Sequence, residues 1–272
     1  MVKPKISVLM PVHNSEKYLS YSIESILSQS FKDCEFIIID DGSTDDSLII
    51  IKDYVKKDKR IILIHNELNL GTTKSLNKGL LIAKGKYIAR MDADDWSYPD
   101  RLQKQYEFMQ NNPDIGVSGG TIDVCNESLL VQNIRRYPLT DKLIREIIFL
   151  YSPFAHSATI WKSELMKLVG GYNQNIPLSQ DCELYFKIGK HAKFGNLNIK
   201  LIKLRMHKKS SSISKDFLQE KYAIYARIKA IFEYGYKPRA IDKLFIILRI
   251  FIMIFFPKKI KYYLFNLLRR EK

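Results

Sequence analysis

Hydrophobic residues occur in short continuous runs and in helix-spaced stretches that alternate along the first third of the chain. The continuous runs predict buried β-strands at 6–12, 36–39, 61–64 and 87–91. The stretches with apolar residues three or four positions apart predict amphipathic helices at 15–29, 44–55 and 72–84. This β-α-β-α-β-α-β order predicts an α/β fold with a mostly parallel sheet flanked by helices.

Polar residues follow each of the predicted strands. His13-Asn14, Asp40-Asp41 and His65-Asn66 follow the first three strands, and Asp92-Ala93-Asp94-Asp95 follows the fourth. In open parallel sheets, ligands bind outside the carboxyl ends of the strands. The sequence therefore predicts a ligand site, rich in acidic groups, at this edge of the sheet.

The chain beyond residue 100 is less regular. Helices are predicted near 100–109, 140–150 and 181–190, and from Asp216 the pattern is helical to the end. We therefore expect an α/β domain over residues 1–215 and a helical tail over residues 216–272.

Charge is distributed unevenly between these two parts. The formal net charge is +15, and residues 200–272 hold 19 Lys/Arg against 5 Asp/Glu, a net charge of +14. A basic tail on a nearly neutral body indicates an anionic partner, either a lipid surface or a nucleic acid.

The three cysteines are far apart and form no CxxC pair, which disfavours a disulfide framework or a zinc site and fits the cytosol. The N-terminal apolar run is too short for a signal peptide.

The segment Met91-Asp92-Ala93-Asp94-Asp95 carries the strongest chemical signal. A departing diphosphate needs its charge neutralised, and a hard divalent cation such as Mn²⁺ or Mg²⁺, held by carboxylates, does this. On an extended segment, Asp92 and Asp94 project to the same side, Asp92 toward a ribose and the metal's waters and Asp94 directly onto the metal. An acidic surface turn is the alternative interpretation.

Several further motifs occur in a fixed order between residues 4 and 215. They are Val8-Leu9-Met10-Pro11-Val12-His13-Asn14, Glu35-Phe36-Ile37-Ile38-Ile39-Asp40-Asp41-Gly42-Ser43, Asn69-Leu70-Gly71, Gly85-Lys86-Tyr87, Pro99-Asp100-Arg101-Leu102, Gly170-Gly171-Tyr172 and Gln180-Asp181-Cys182-Glu183-Leu184. With the acidic segment, they make the chain resemble the family 2 glycosyltransferases, which have a GT-A type nucleotide-binding domain. The resemblance implies metal-dependent, inverting transfer of a sugar from a nucleotide-sugar donor, with UDP as the nucleotide, to a glycan or lipid-linked acceptor in cell-surface polysaccharide synthesis.

The resemblance also implies which residues bind the nucleotide. These are Pro11, Val12, His13, Glu16, Asp41, Lys74 and Asp92. His13 stands where the family commonly has tyrosine, and Asp41 matches the aspartate that accepts from the uracil ring N–H. Alternatives remain for three positions: Pro11 as a strand end, Asp41-Gly42-Ser43 as a turn and Lys74 as a solvated helix lysine.

Asp181 matches the family's catalytic base, although the preceding position is Gln180 rather than the usual glutamate. A carboxylate within reach of the acceptor hydroxyl removes its proton as it attacks; the alternative, compatible role is a helix N-cap. His207, in Arg205-Met206-His207, matches a third metal ligand or diphosphate contact, and a structural histidine is the alternative. His156 lies in the expected acceptor region without a further assignment.

The tail contains 13 residues, Leu244 to Phe256, that are apolar except for Arg249. A spanning helix needs ~20 apolar residues, so this segment is too short to cross a bilayer. Its flanking basic residues indicate a helix lying on an anionic membrane surface, which makes the protein peripheral on the inner face of the cell membrane. A buried core helix is the alternative, and nucleic acid is disfavoured because no binding motif is present.

Three other functions fit the sequence less well. A nucleotidyltransferase would need a glycine-rich basic loop after the first strand, and Pro11-Val12-His13-Asn14-Ser15 is not one. An NAD-dependent oxidoreductase would need GxGxxG at the same place. A non-catalytic partner of glycan synthesis would not need the carboxylates of Asp92, Asp94 and Asp181, and all three are present.

Overall fold

The sheet of this protein is built around two strands, β1 (Ile6–Val12) and β2 (Cys34–Asp41). Every residue of β2 is buried, as are all of β1 except Pro11. Continuous apolar runs form such strands when helices cover both faces of a parallel sheet. The computed structural model describes residues 3–207, 216–256 and 260.

The remaining elements follow in chain order. The strands are β3 (Ile61–Asn66), β4 (Tyr87–Arg90), β5 (Trp96–Ser97), β6 (Ile115–Cys125), β7 (Val131–Arg135), β8 (Ile160–Lys162) and β9 (Lys193–Arg205). The helices are α1 (Glu16–Leu27), α2 (Ser47–Lys57), α3 (Thr72–Ile82), α4 (Arg101–Asn111), α5 (Asp141–Ile147), α6 (Ser163–Leu168), α7 (Gln180–Gly189), α8 (Asp216–Phe232) and α9 (Ala240–Phe255), with a 3₁₀ helix at His156–Ala158.

In the described residues, the strands form one sheet in the order β3-β2-β1-β4-β8-β6-β9-β5, with β7 added against β6. The first four strands in this order are parallel. Beyond them β8 is antiparallel to both β4 and β6, whereas β6 and β9 are parallel. The α/β fold and the predicted β-α-β-α-β-α-β succession with parallel strands are therefore confirmed, and the acidic residues follow β4 at its carboxyl end.

Successive residues of the central strands enter two hydrophobic clusters on opposite faces. Val8 and Met10 belong to a cluster that also contains Leu19 of α1. Leu9, between them, belongs to a cluster with Leu76 of α3. Because neighbouring side chains of a strand point to opposite faces, this alternation packs α1 on one side of the sheet and α3 on the other.

The two helices after residue 215 pack on the second of these faces. Ile224 and Ala230 of α8 and Ile246 of α9 share a hydrophobic cluster with Leu184 of α7. The expected boundary at residue 215 stays a prediction, and in the described residues the helices after it share a core with the sheet. Within these ranges, no helix has the length and hydropathy that crossing a bilayer requires.

The described part of the predicted helical tail consists of two helices. Helix α8 ends at Phe232 and α9 begins at Ala240. Between them Gly235 adopts a positive φ of 72°, and Pro238 follows, a residue with no backbone N–H to donate to a helix. The part of the predicted tail beyond residue 260 lies outside the described residues.

Candidate active site

The acidic segment after β4 folds into a turn that gathers three carboxyl groups. The ligand atoms of Asp92, Asp94 and Asp95 all lie within 4.8 Å of one another. The prediction of an extended segment is wrong, because Ala93 and Asp94 lie in a turn. The turn adds Asp95, which had no assigned role, to the two aspartates found from the sequence.

Neighbouring elements hold this acidic turn in place. From α1, the Ser22 hydroxyl donates to the carbonyl oxygens of Ala93 at 2.8 Å and Asp95 at 2.6 Å. From β9, the backbone N–H of Arg205 donates to Asp95 Oδ1 at 3.0 Å. Arg90, the last residue of β4, is 3% exposed and donates to Asp92 Oδ1. The turn is therefore fixed by contacts to backbone and carboxylate oxygens alike.

The three carboxyl groups of the acidic turn repel one another when they are ionised. Burial, together with the negative charges of Asp94 and Asp92, raises the pKa of the Asp95 carboxyl well above its ordinary value. Three carboxyl groups in so small a space are the donor set that hard divalent cations prefer. The residues present therefore fit a divalent metal ion.

His207 lies beside the acidic turn, and its role as a metal ligand or diphosphate contact stays a prediction. Its Nε2 is 2.9 Å from Asp94 Oδ2, and its ring centre is 4.9 Å from that of Tyr18. Tyr18 in turn donates its hydroxyl proton to Glu127, at 2.6 Å. The turn is thus bordered by an imidazole and an aromatic ring from two different parts of the chain.

Asp181 lies in the first turn of α7. The N-cap position belongs to Ser179, which has a φ of 55°, so Asp181 is the second helical residue and not the cap. Burial raises the pKa of the Asp181 carboxyl, and the charge of Asp92 adds to this effect. The backbone N–H groups of Asp181 and Cys182 and the charge of Arg227 act in the opposite direction. The predicted base and the acidic turn therefore act on each other electrostatically.

Asp41 organises the loop after β3. Its Oδ1 accepts from Asn66 Nδ2 and from the Leu70 N–H, both at 2.9 Å, and its Oδ2 accepts from the Gly71 N–H at 2.8 Å. Burial opposes ionisation, but these hydrogen bonds outweigh it and hold the pKa of the Asp41 carboxyl below its ordinary value. Asp41 is consequently an ionised acceptor at the carboxyl end of β2.

His13 is fixed between Asp41 and the same loop. Its Nδ1 lies 2.9 Å from the Asp41 carbonyl oxygen, and its Nε2 lies 2.9 Å from Asn69 Nδ2. A carbonyl oxygen only accepts, so Nδ1 carries the proton and Nε2 accepts from the Asn69 amide. The Asn69 orientation agrees, because its Oδ1 accepts from the Gly71 N–H at 3.0 Å. The exposed imidazole ring is thereby held in one orientation.

The other predicted nucleotide-binding residues have different surroundings. Pro11 is half-buried, whereas Val12 is 1% exposed and packs in the cluster with α1. The carboxylate of Glu16 accepts from the Asp46 N–H at 2.9 Å, which ties α1 to the start of α2. Lys74 is exposed on the first turn of α3, after Gly71.

The structure also places near the site residues that sequence reasoning left without a role. Asp95 belongs to the acidic segment, but the sequence pattern assigned roles only to Asp92 and Asp94. Arg90 and Tyr18 gave no sequence signal, since an arginine at a strand end and a tyrosine on a helix occur in many proteins. His156, expected in the acceptor region without a further assignment, and Tyr172, part of the Gly170-Gly171-Tyr172 motif, form a hydrogen bond at 2.8 Å.

The sheet order and the acidic turn at its carboxyl edge define an α/β enzyme domain of the GT-A type. A family model described as Glycosyl transferase family 2 matches residues 7–167, more than half of the chain. The chain belongs to glycosyltransferase family 2.

Relatives of known sequence agree with this family. The chain is 37% identical over 229 residues to the uncharacterized glycosyltransferase MJ1057 of Methanocaldococcus jannaschii, covering 83% of this chain and 79% of that protein. It is 34% identical over 215 residues to the O-antigen biosynthesis glycosyltransferase WbnJ of Escherichia coli, covering 77% and 82%. It is 37% identical over 206 residues to the putative glycosyltransferase EpsE of Bacillus subtilis, covering 74% and 73%.

Solved structures share the fold at low sequence identity. TarS of S. aureus, solved in complex with UDP, superimposes with a TM-score of 0.67 at 21% identity, covering 89% of this chain and 69% of that one. The mannosyltransferase PcManGT of Pyrobaculum calidifontis, solved with GDP-Man and Mn²⁺, gives a TM-score of 0.66 at 16% identity, covering 90% and 69%. These similarities establish the GT-A type fold.

Proposed function

We propose that this protein transfers a sugar from a UDP-sugar to a hydroxyl group of a glycan or lipid-linked acceptor, with inversion at the anomeric carbon. The observation that carries the proposal is the acidic turn, three carboxyl groups within 4.8 Å at the carboxyl end of β4. In this fold that edge is where ligands bind. The solved complexes of TarS with UDP and of PcManGT with GDP-Man and Mn²⁺ support a nucleotide-sugar donor.

Asp94 and His207 are the proposed ligands of a Mn²⁺ or Mg²⁺ ion, with Asp92 and Asp95 beside them. A bound divalent cation supplies charge neutralisation for the departing nucleoside diphosphate. Arg90 balances part of the negative charge of Asp92, and Arg205 holds Asp95 by its backbone N–H. These contacts keep the carboxyl groups together before any ligand arrives.

Asp181 is the proposed catalytic base. It takes the proton of the acceptor hydroxyl while that oxygen bonds to the anomeric carbon, and the bond to the diphosphate breaks on the opposite face. Its position in the first turn of α7 suits this role, because the N-terminal end of a helix stabilises the ionised carboxylate. The charge of Arg227 has the same effect.

His13 and Asp41 are proposed to contact the uracil base. The fixed imidazole of His13 offers a flat face for stacking, and the ionised Asp41 carboxylate is an acceptor for the ring N–H of the base. Pro11 and Val12 end β1 immediately before His13, Glu16 begins α1 and Lys74 lies on the first turn of α3. We propose that these four residues complete the nucleotide site.

The outer face of α9 is proposed to lie on the inner surface of the cell membrane. Its exposed apolar residues are Ile241, Leu244, Ile247, Leu248, Phe251, Ile254 and Phe255. Arg249 interrupts this run in sequence but not in space, because it is 2% exposed and paired with the buried Glu220. A continuous apolar face in a strongly basic tail fits an anionic lipid surface. The O-antigen role in the name of WbnJ supports a function in cell-surface polysaccharide synthesis.

A donor screen tests the proposed function. Nucleotide release is measured from a panel of UDP-, GDP- and dTDP-sugars, each with Mn²⁺ and with EDTA, in the presence of a glycan acceptor mixture. We expect release from a UDP-sugar only in Mn²⁺, and its loss in the Asp181→Asn variant. Turnover of GDP-sugars alone would overturn the UDP assignment, and equal turnover in EDTA would overturn the role of the metal.

A further inference from the structure

A histidine and a tyrosine form a hydrogen-bonded pair next to the acidic turn. His156 Nε2 lies 2.8 Å from the Tyr172 hydroxyl oxygen, and the two rings meet edge to face with centres 5.6 Å apart. Ser157, the residue after His156, is one of the groups that lower the pKa of the Asp95 carboxyl against the effect of burial, so it is near that carboxyl. The carbonyl of Thr159, three residues on, accepts from the Arg90 N–H at 2.9 Å. His156 therefore belongs to a segment that contacts β4 and the acidic turn.

Both members of the pair have a fixed backbone. Asn77 of α3 donates to the Tyr172 carbonyl at 2.7 Å and accepts from the Tyr172 N–H at 2.9 Å. The Thr159 hydroxyl donates to the His156 carbonyl at 2.7 Å. Gly171 keeps room for the Asn77 contact, because a Cβ there would lie 2.7 Å from Asn77 Oδ1. Groups outside the pair thus hold it in place.

The pair is uncharged although charged groups surround it. Burial and the positive charge of Arg90 lower the pKa of His156 well below its ordinary value, so the imidazole is neutral. Burial raises the pKa of the Tyr172 phenol; the charges of Asp181 and Asp92 act in the same direction and Arg90 opposes them, so the phenol keeps its proton. Tyr172 is thus within electrostatic reach of both the acidic turn and the predicted base.

A neutral pair of this kind presents one donor and one acceptor in either arrangement of its protons. When the tyrosine donates to Nε2, its oxygen accepts from a ligand and His156 Nδ1–H donates. When Nε2–H donates to the tyrosine oxygen, the phenolic proton is free for a ligand and Nδ1 accepts. A hydroxyl at the tyrosine oxygen donates to it in the first arrangement and accepts from it in the second, so the pair suits a ligand that both donates and accepts, such as a sugar hydroxyl.

We propose that His156 and Tyr172 bind a sugar hydroxyl and thereby orient the reacting sugar between the acidic turn and Asp181. The inference rests on the proposed glycosyl transfer and names two further substrate-binding residues for it. The hydroxyl belongs either to the transferred sugar of the donor or to the acceptor. Orientation of the reacting groups is worth large rate factors, so loss of the pair affects transfer more than nucleotide binding.

The test compares Tyr172→Phe with a matched control, Tyr185→Phe. Tyr185 is also a buried tyrosine within electrostatic reach of Asp181, but it stacks on Trp161 and takes no part in the pair. We expect Tyr172→Phe to lower kcat/KM for transfer roughly 10- to 100-fold. Melting temperature and Mn²⁺-dependent UDP affinity should stay at the wild-type values, and Tyr185→Phe should retain wild-type transfer.

Two comparisons locate the hydroxyl and test whether the pair acts as a unit. A defect in slow donor hydrolysis without acceptor assigns the hydroxyl to the donor sugar, and a defect only in the acceptor-dependent rate assigns it to the acceptor. In the double variant, Tyr172→Phe should add little to the loss of transfer rate caused by His156→Ala, because either change destroys the same site. His156→Gln, which has an amide nitrogen near the Nε2 position, should retain part of the rate that His156→Ala loses.

Three outcomes would overturn the inference. They are wild-type transfer by Tyr172→Phe, equal losses in Tyr172→Phe and Tyr185→Phe, or a loss that follows reduced folding stability or UDP affinity. Failure of the underlying function looks different, because the wild-type protein would then release no nucleotide from any donor. Wild-type turnover with an unaffected Tyr172→Phe variant refutes the pair alone.

Discussion

Arg205 connects the end of β9 to the acidic turn at two adjacent residues. Its backbone N–H donates to the Asp95 carboxylate at 3.0 Å, and its Nε donates to the Asp94 carbonyl oxygen at 2.8 Å. The same guanidinium lies 4.5 Å from the centre of the Tyr18 ring. The shape of the proposed metal site therefore depends on a strand residue 110 positions later in the chain.

We first predict that Arg205→Leu weakens Mn²⁺-dependent UDP binding about tenfold, the range found when groups that orient metal ligands are removed. The variant keeps the backbone bond to Asp95 but loses the guanidinium contact to Asp94. Calorimetric titration with UDP in Mn²⁺ measures the change. Arg60→Leu is the control, because Arg60 pairs with Asp58 ahead of β3, at the opposite edge of the sheet. Equal losses in both variants would contradict a local role for Arg205.

A second prediction concerns Asp94. Asp94→Asn keeps the shape of the side chain but removes its charge, so the tightening of UDP binding by Mn²⁺ over EDTA should fall by at least about tenfold. The exposed neighbour Asp100, changed to asparagine, should behave as wild type. If the wild-type protein binds UDP equally well in EDTA, the turn holds no functional metal.

Third, Asp181→Asn should retain UDP and Mn²⁺ binding but lose transfer. General-base catalysis contributes ~10²–10⁴ in rate, and kcat should fall by that factor. Calorimetry and steady-state rates are measured on the same preparation. A variant with near wild-type kcat would assign the base to another residue.

The fourth prediction is a pH dependence. Because burial raises the pKa of Asp181, its basic form is lost at a higher pH than the ~3.9 of an ordinary aspartate as the solution is acidified. The acid limb of kcat/KM should therefore lie above that value. The charge of Arg227 lowers this pKa, so Arg227→Met should move the limb to higher pH and Arg227→Lys should not. An unmoved limb in Arg227→Met would mean that another group titrates.

Membrane binding gives the fifth prediction. Phe251→Glu and Ile254→Glu place charges on the exposed face of α9, and both should abolish flotation with phosphatidylserine liposomes while preserving UDP affinity. Ile49→Glu, at an equally exposed apolar position on α2, is the control and should still float. Binding by the wild type should decrease, without vanishing, in high salt, since salt screens only the Coulomb attraction. Flotation of all three variants would place the contact elsewhere.

The first half of the fold was readable from the sequence because its strands are buried on both faces. A short continuous apolar run such as Phe36 to Ile39 indicates a buried strand when amphipathic helical segments lie before and after it. The remaining strands were not predicted. β6 owes its place to pairing with β8 and β9, which come much later in the chain, and such partners leave no local pattern.

The site divides in the same way. Asp92, Asp94 and Asp181 stand in local motifs whose chemistry is recognisable, and the structure brings the first two together. Arg205 and Tyr172 act across long sequence separations, through contacts that only the folded chain defines. The turn conformation of the acidic segment was also missed, because an extended and a turned Asp-Ala-Asp-Asp have the same composition.

The buried ion pair of Arg249 with Glu220 has a consequence for the orientation of α9. Nearly every residue from Leu244 to Phe255 is apolar, so hydrophobicity alone favours no particular side of this helix against the core. Arg249 contacts both Glu220 of α8 and, at 3.1 Å, the carbonyl oxygen of Leu150. It can make both contacts in only one orientation of the helix about its axis. Separating a buried charged pair leaves an uncompensated buried charge, which is strongly destabilising. In this protein Arg249 therefore selects the rotation of α9, and the rotation decides which apolar side chains of the helix are exposed.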